Sequence, residues 1–330
     1  MTRVVLLEDY LDYAKQLDSV QQLAERTDFT TYTTKAASDD ETIERTRDAD
    51  IVITIRDRVI FTPELLSHLG HLQLLSVCGA RLTHIDLQAA AEHGVLICAP
   101  SPSEQGTHTK RATAEQSWNL ILGLAKETPM NDQAMRAGKW QTRPAWGLVG
   151  KTIGLLGLGH IGAQVAEIAN AFRMRVIAWS PHLTPERARA NGAEYVPFEQ
   201  LFTDADVVSV HAPMLPENRD LIGEVELNLM RPHALLINTA RAGLINEQAL
   251  RQALANGTIG AAGLDVYWQE PLPEDHWLRR QANVLLQPHL GGFTDEGYAT
   301  LIEAAINNII AFLDGQPKNL INPDVLKRRK

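Results

Sequence analysis

The stretch Lys151-Thr-Ile-Gly-Leu-Leu-Gly157-Leu-Gly159-His-Ile-Gly162 decides how the chain is read. An apolar strand-like run, Thr152 to Leu156, enters Gly-x-Gly-x-x-Gly and then a helical segment, Ala163 to Phe172. Strand, glycine turn and helix in that order make the phosphate corner of a dinucleotide site. Gly157 permits the tight turn, Gly159 lets the backbone approach a pyrophosphate, and Gly162 lets the helix pack close to the strand. The helix N-terminus adds unpaired amides and the positive end of its dipole.

Downstream of this corner, apolar runs at 176–179, 207–210, 234–237, 259–264 and 284–286 complete six strands with crossovers, a full doubly wound domain. Upstream, runs at 4–7, 51–55, 74–77 and 95–98 mark a smaller α/β unit, closed by the Pro/Ser punctuation Ala99-Pro-Ser-Pro-Ser103. A helical pattern over Ala112–Ala125 follows it, and another over Tyr298–Leu313 returns to cover the first unit. The expected architecture is α/β with two doubly wound, Rossmann-like domains. Residues 1–100 plus 298–330 form a flavodoxin-like substrate domain, and 101–297 an NAD(P)-binding Rossmann domain.

Composition narrows the function. The 330 residues suit about two domains of roughly 150 residues each. Asp and Glu number 40 against 31 Lys and Arg, a net charge of −9, and no basic patch suits a nucleic acid. No apolar run approaches the ~18 residues of a membrane helix. Two cysteines without CxxC spacing, Cys78 and Cys98, predict buried thiols in the cytoplasm. His68-Leu-Gly-His71 lacks companions that would complete a metal shell, so no metal site is expected, and the lack of a Gly-x-Ser-x-Gly pattern disfavours a hydrolase.

In an open parallel sheet, ligands bind beyond the carboxyl ends of the strands. Four consecutive strands end there in His211-Ala212-Pro213, Asn238-Thr-Ala-Arg241, Asp265 and Gln-Pro-His289-Leu-Gly-Gly292. Singly, each reads as a cap or a loop salt bridge; together they read as a site. Hydride transfer at an alcohol carbon needs one group to move the hydroxyl proton and one to polarise the carbonyl. His289 suits the first role, with Glu270 as its carboxylate partner, and Arg241 offers the planar fork for the second.

The acid expected about 20 residues beyond the glycine turn is missing, because the second strand ends in Trp179-Ser180-Pro181-His182. Ser180 can meet a ribose or a phosphate, which leaves NAD against NADP open. No arginine stands beside it in sequence, a lean towards NAD. His182 and Arg187 are candidates for contact with such a phosphate, but they read better as solvent-exposed loop and helix residues.

These motifs, with Cys78-Gly-Ala-Arg-Leu-Thr-His-Ile-Asp86 and the closing Asn319-Leu-Ile-Asn-Pro323, make the chain resemble the D-2-hydroxyacid dehydrogenases over nearly its whole length. The resemblance implies interconversion of a 2-oxo acid and a D-2-hydroxy acid. It gives substrate binding to Arg241, tuning of the imidazole to Glu270, and proton transfer to His289. It further implies that Asp265 meets the nicotinamide carboxamide, that His160 and Ile161 meet the pyrophosphate, and that His211, Ala212, Pro213, Thr239, Ala240, Gly291 and its neighbour Gly292 line the cofactor together with Arg241 and His289. Val77, Cys78 and Gly79 map to the turn that presents amides to a substrate carboxylate. Arg81 stands where the family usually has a small residue, and faces the substrate or pairs on the surface. Arg56 and Arg58, after the second strand, are second-rank candidates to face the cleft between domains and read better as solvated loop arginines. A homodimer through the cofactor domain is also implied. The alternatives are a dinucleotide-sensing, corepressor-like binding protein and, within the oxidoreductases, a formate or phosphonate dehydrogenase.

Overall fold

The computed structural model describes residues 1–79, 82–101 and 108–328. The chain divides into two compact units, Met1–His108 with Thr294–Lys330, and Thr109–Phe293.

The first unit carries strands β1 (Arg3–Leu7), β2 (Asp28–Thr31), β3 (Ile51–Ile55), β4 (Leu74–Cys78) and β5 (Leu96–Cys98). They form one parallel sheet in the order β2-β1-β3-β4-β5, the flavodoxin-like winding. Every residue of β3 and β4 is buried, which is why those strands read as unbroken apolar runs. Helix Asp295–Leu313, capped by the Thr294 hydroxyl, packs its apolar stripe from Leu301 to Ile309 against this unit. Polar ties help to fix it. Ser76 Oγ in β4 donates to the carbonyl of Ala305 at 3.0 Å, and the buried Tyr298 hydroxyl donates to Asp9 Oδ1 at 2.6 Å.

The second unit carries β6 (Thr152–Leu156), β7 (Arg175–Trp179), β8 (Glu194–Tyr195), β9 (Val207–Val210), β10 (Leu235–Asn238), β11 (Ala261–Leu264) and β12 (Val284–Leu286). All pairings are parallel, in the order β12-β11-β10-β9-β6-β7-β8. From β6 the chain winds outward to β7 and β8, then returns to lay β9 on the other flank of β6. That reversal is the switch point at which doubly wound sheets bind their ligands. Helix His108–Ala125 belongs to this unit's core, where Trp118, Leu120 and Ile121 pack with Ile153 and Leu155.

Three details differ from expectation. β2 and β8 have no counterpart among the apolar runs of the sequence, because both lie at sheet edges, where burial on two faces is not required and the apolar signal fades. The helix after the glycine turn begins at His160, not Ala163. Arg56 and Arg58 are partly buried, not solvated. Arg58 lies 4.2 Å over the Tyr10 ring and donates to the Glu8 carbonyl, so packing within the first unit employs it.

Candidate active site

The glycine corner is built as its spacing requires. Gly157 has φ +103°, and a Cβ there would stand 2.8 Å from the Ala212 amide nitrogen. At Gly162 a Cβ would meet the Gly157 carbonyl at 2.2 Å, so the helix packs this closely only with glycine. Gly159 differs: nothing lies within 4 Å of its would-be Cβ. Its missing side chain leaves open space rather than room for protein. Helix His160–Ala171 starts there without a side-chain cap, so its first amides have no side-chain acceptor and suit a pyrophosphate. His160 is exposed and Ile161 partly buried in that first turn. The residues present therefore fit a dinucleotide.

Two hydrogen bonds seat the end of β7 against this corner. The Gly157 amide donates to the Trp179 carbonyl at 2.8 Å, and the Leu158 amide to Ser180 Oγ at 3.0 Å. Ser180 thus occupies the place of the missing acid. Across the turn, the His211 amide donates to the Leu156 carbonyl at 2.8 Å, which brings His211, Ala212 and Pro213 beside Gly157. Burial pushes the His211 imidazole down to about 4, so it stays neutral, and its Nε2 lies 2.9 Å from Ser209 Oγ.

The loop after β10 is organised by Asn238, whose side chain accepts from the Ala240 amide at 2.9 Å and donates to the Arg241 carbonyl at 3.0 Å. Arg241 Nη1 donates to the Ala240 carbonyl at 2.7 Å. The Thr239 hydroxyl is held 2.8 Å from Ser117 Oγ on helix His108–Ala125.

At the far end of the row, Glu270 Oε2 lies 2.6 Å from His289 Nδ1, and Glu270 Oε1 accepts from the Tyr267 amide at 2.9 Å. Burial alone would raise the Glu270 carboxyl. The hydrogen bond and charge of His289, the Tyr267 amide and the Arg241 guanidinium outweigh it and hold the carboxyl below its usual range. The Tyr267 hydroxyl donates to the carbonyls of Leu264 and Gln287, which closes the loop that carries Glu270 onto the strand end that carries His289. His289 itself sits at φ +56°, a left-handed conformation that a non-glycine residue holds only when its surroundings impose it.

Asp265 is fully buried, and desolvation raises its carboxyl against the pull of its hydrogen bonds. It accepts from Gln116 Nε2 at 2.9 Å, the Leu290 amide at 2.8 Å and the Gly291 amide at 2.7 Å. Asp265 is therefore the anchor of the segment that follows His289. A Cβ at Gly291 would lie 2.9 Å from Asp265 Oδ2, and its buried neighbour Gly292 continues the turn. Gln116, Ser117 and Tyr267 do not stand out in the sequence. Each reads locally as one more residue of a helix or loop, and its partner lies on another element.

In the first unit, Val77 and Cys78 end β4 fully buried, and Gly79 follows at φ +144°. The Arg56 amide donates to the Cys78 carbonyl at 3.2 Å, and Arg56 Cγ would lie 3.6 Å from a Cβ on Gly79. Burial pushes the Cys78 thiol up to about 12, which makes it no nucleophile. Arg81 lies outside the described residues. Cys78 and Cys98 are free and buried. Among the described residues, no helix is long and apolar enough to cross a membrane.

Residues 118–291 match the family described as D-isomer specific 2-hydroxyacid dehydrogenase, NAD binding domain. The chain is 38% identical over 299 residues to a glyoxylate reductase of Aeropyrum pernix, covering 87% of each chain. It is 36% identical over 295 residues to one of Thermococcus litoralis, covering 86% of this chain and 87% of that one. A crystal structure of a phosphoglycerate oxidoreductase from Vibrio cholerae superposes with a TM-score of 0.87 at 30% identity, over 96% of this chain and 100% of the other. The chain belongs to the D-isomer specific 2-hydroxyacid dehydrogenases. The dehydrogenase binds a nicotinamide dinucleotide on its second unit and interconverts a small 2-oxo acid and a 2-hydroxy acid.

Proposed function

We propose that His289 is the acid/base of this reaction, that Glu270 positions and tunes it, and that Arg241 holds the substrate. The pairing of Glu270 Oε2 with His289 Nδ1 at 2.6 Å carries the reading. With Nδ1–H taken up by the carboxylate, Nε2 is the atom left to exchange a proton with the substrate oxygen. The dinucleotide supplies the hydride. In the reducing direction Nε2–H protonates the oxygen of the former carbonyl, and Glu270 stabilises the imidazolium that waits to deliver it. Arg241 stays charged throughout, and its fork suits a carboxylate beside a carbonyl oxygen.

The dinucleotide contacts that we assign to His160, Ile161, His211, Ala212, Pro213, Thr239, Ala240, Gly291 and Gly292 are supported by their position in the segments that follow β6, β9, β10 and β12 at the carboxyl edge of the sheet. With all three protein donors on its carboxylate, Asp265 acts first as a scaffold. Val77, Cys78 and Gly79 are the carboxylate-binding candidates of the first unit, which we assign as the substrate domain. Buried free thiols fit the reducing cytoplasm as its location. A homodimer is supported by helix Thr128–Arg136, which buries none of its residues, and by Met130, Met135, Trp140 and Val149, all more than half exposed. Light scattering on the purified protein checks it; a monomer at micromolar concentration rejects it.

The test is oxidation of NADH and NADPH with glyoxylate, hydroxypyruvate, pyruvate, phenylpyruvate and 2-oxoglutarate. Turnover on at least one acid is expected, and Arg241→Lys should lose about 10²-fold or more in kcat/KM. If Arg241→Lys raised KM only modestly, the fork would have no role.

A further inference from the structure

The end of β7 carries a feature that the general reaction does not require. In an NAD-selective site a carboxylate at this position accepts hydrogen bonds from the ribose hydroxyls and repels a 2′-phosphate. Here Ser180 holds that position, fixed by the Leu158 amide on its Oγ. Because Oγ accepts from the protein, the hydroxyl proton remains to be donated to a ligand acceptor. A phosphate oxygen is such an acceptor, and a diol already has its own donors.

A cation is held on the loop that follows Ser180. Thr184 caps the short helix Pro185–Ala190, and Arg187 in that turn reaches back so that Nη1 donates to the His182 carbonyl at 3.0 Å. Folding thus sets against the loop an arginine that lies seven positions beyond Ser180 in sequence. The single bond leaves most of its five N–H donors for a ligand. Among the described residues, no carboxylate pairs with Arg187. Residues 179–185 contain no acid, and in the following turn the Glu186 carboxyl is held below its usual range by its own amide and the Thr184 hydroxyl.

We propose that Ser180 and Arg187 select a dinucleotide with a phosphate on the adenosine 2′-oxygen, so that this dehydrogenase binds NADPH in preference to NADH. Ser180 donates to the phosphate, and Arg187 pairs with it through the donors that the His182 carbonyl leaves over. The lean to NAD in the sequence rests on the lack of an arginine adjacent to Ser180 along the chain, and the turn of Pro185–Ala190 supplies one through space. The proposal rests on the second unit being the dinucleotide site.

Its test is equilibrium binding of NADPH and NADH to the intact protein, followed by quenching of tryptophan fluorescence, with 2′,5′-ADP and 5′-AMP compared by calorimetry. NADPH should bind about tenfold or more tighter than NADH, and 2′,5′-ADP tighter than 5′-AMP, with the gap narrowing as salt rises. Arg187→Ala should weaken NADPH about tenfold and NADH less than about threefold, and Ser180→Asp should invert the preference. Equal or tighter binding of NADH by the native protein overturns the selectivity while leaving the dinucleotide site intact. An equal loss for both coenzymes in Arg187→Ala overturns the role of Arg187. If neither coenzyme binds, the site itself falls and this proposal with it.

Discussion

Glu270 Oε2 and His289 Nδ1 are 2.6 Å apart, and the histidine so held is one of the few non-glycine residues of the chain with a left-handed backbone. The two facts belong together. A conformation that costs on the order of 1 kcal/mol persists where neighbours over-determine it. Here they do so on both sides, Glu270 through the ring and Asp265 through the Leu290 and Gly291 amides.

The pair makes a prediction for acid. Because the Glu270 carboxyl lies below its ordinary value, its contribution is fully present above that value, about 4.3, and is lost as pH falls through the lower folded value. Glu270→Gln removes the charge, keeps the shape, and should lower kcat by about 10²-fold to 10⁴-fold near neutral pH. Its stability should also fall less between pH 5 and pH 3 than that of the native protein. Parallel acid limbs in thermal melts of the two proteins would show that the carboxylate is not paired.

The three glycines of the corner separate folding from binding. Gly162→Ala drives a Cβ into the Gly157 carbonyl and should cost about 1–3 kcal/mol of stability. Gly159→Ala meets no protein atom and should melt within about 0.5 kcal/mol of the native protein, yet its methyl enters the space assigned to the pyrophosphate. A loss of about tenfold or more in dinucleotide affinity is expected for it. Undiminished affinity in Gly159→Ala means that the phosphates lie elsewhere.

Gln116 tests whether Asp265 acts as an anchor. Gln116→Leu leaves a buried carboxylate short of one of its three donors, a loss of about 1–3 kcal/mol. The Leu290–Gly291 segment loosens with it, so kcat should fall together with the melting temperature. A lower melting temperature with kcat untouched contradicts the link from Asp265 to His289.

How far the sequence carries these conclusions depends on the residue. The central strands and the groups at their ends are legible, since a strand buried on both faces must be apolar and a polar residue that breaks the run stands out. His211, Arg241, Asp265 and His289 stand out in that way. Edge strands Asp28–Thr31 and Glu194–Tyr195 lack that constraint and leave no such signal. Gln116 is illegible for a different reason: its acceptor on Asp265 lies 149 residues away, and nothing in a helical repeat sets apart a glutamine that serves a distant carboxylate. Arg187 is visible in the sequence, but proximity along the chain is a poor guide to proximity in space, and only the fold turns it back onto the His182 carbonyl.

The most direct measurement is steady-state turnover of His289→Ala on the acid that the native protein reduces best, with dinucleotide affinity measured on the same preparation. Loss of about 10³-fold in kcat, with dinucleotide affinity within about threefold of native, is the predicted result. Turnover within about tenfold of native would contradict the assignment of His289 as the group that moves the proton.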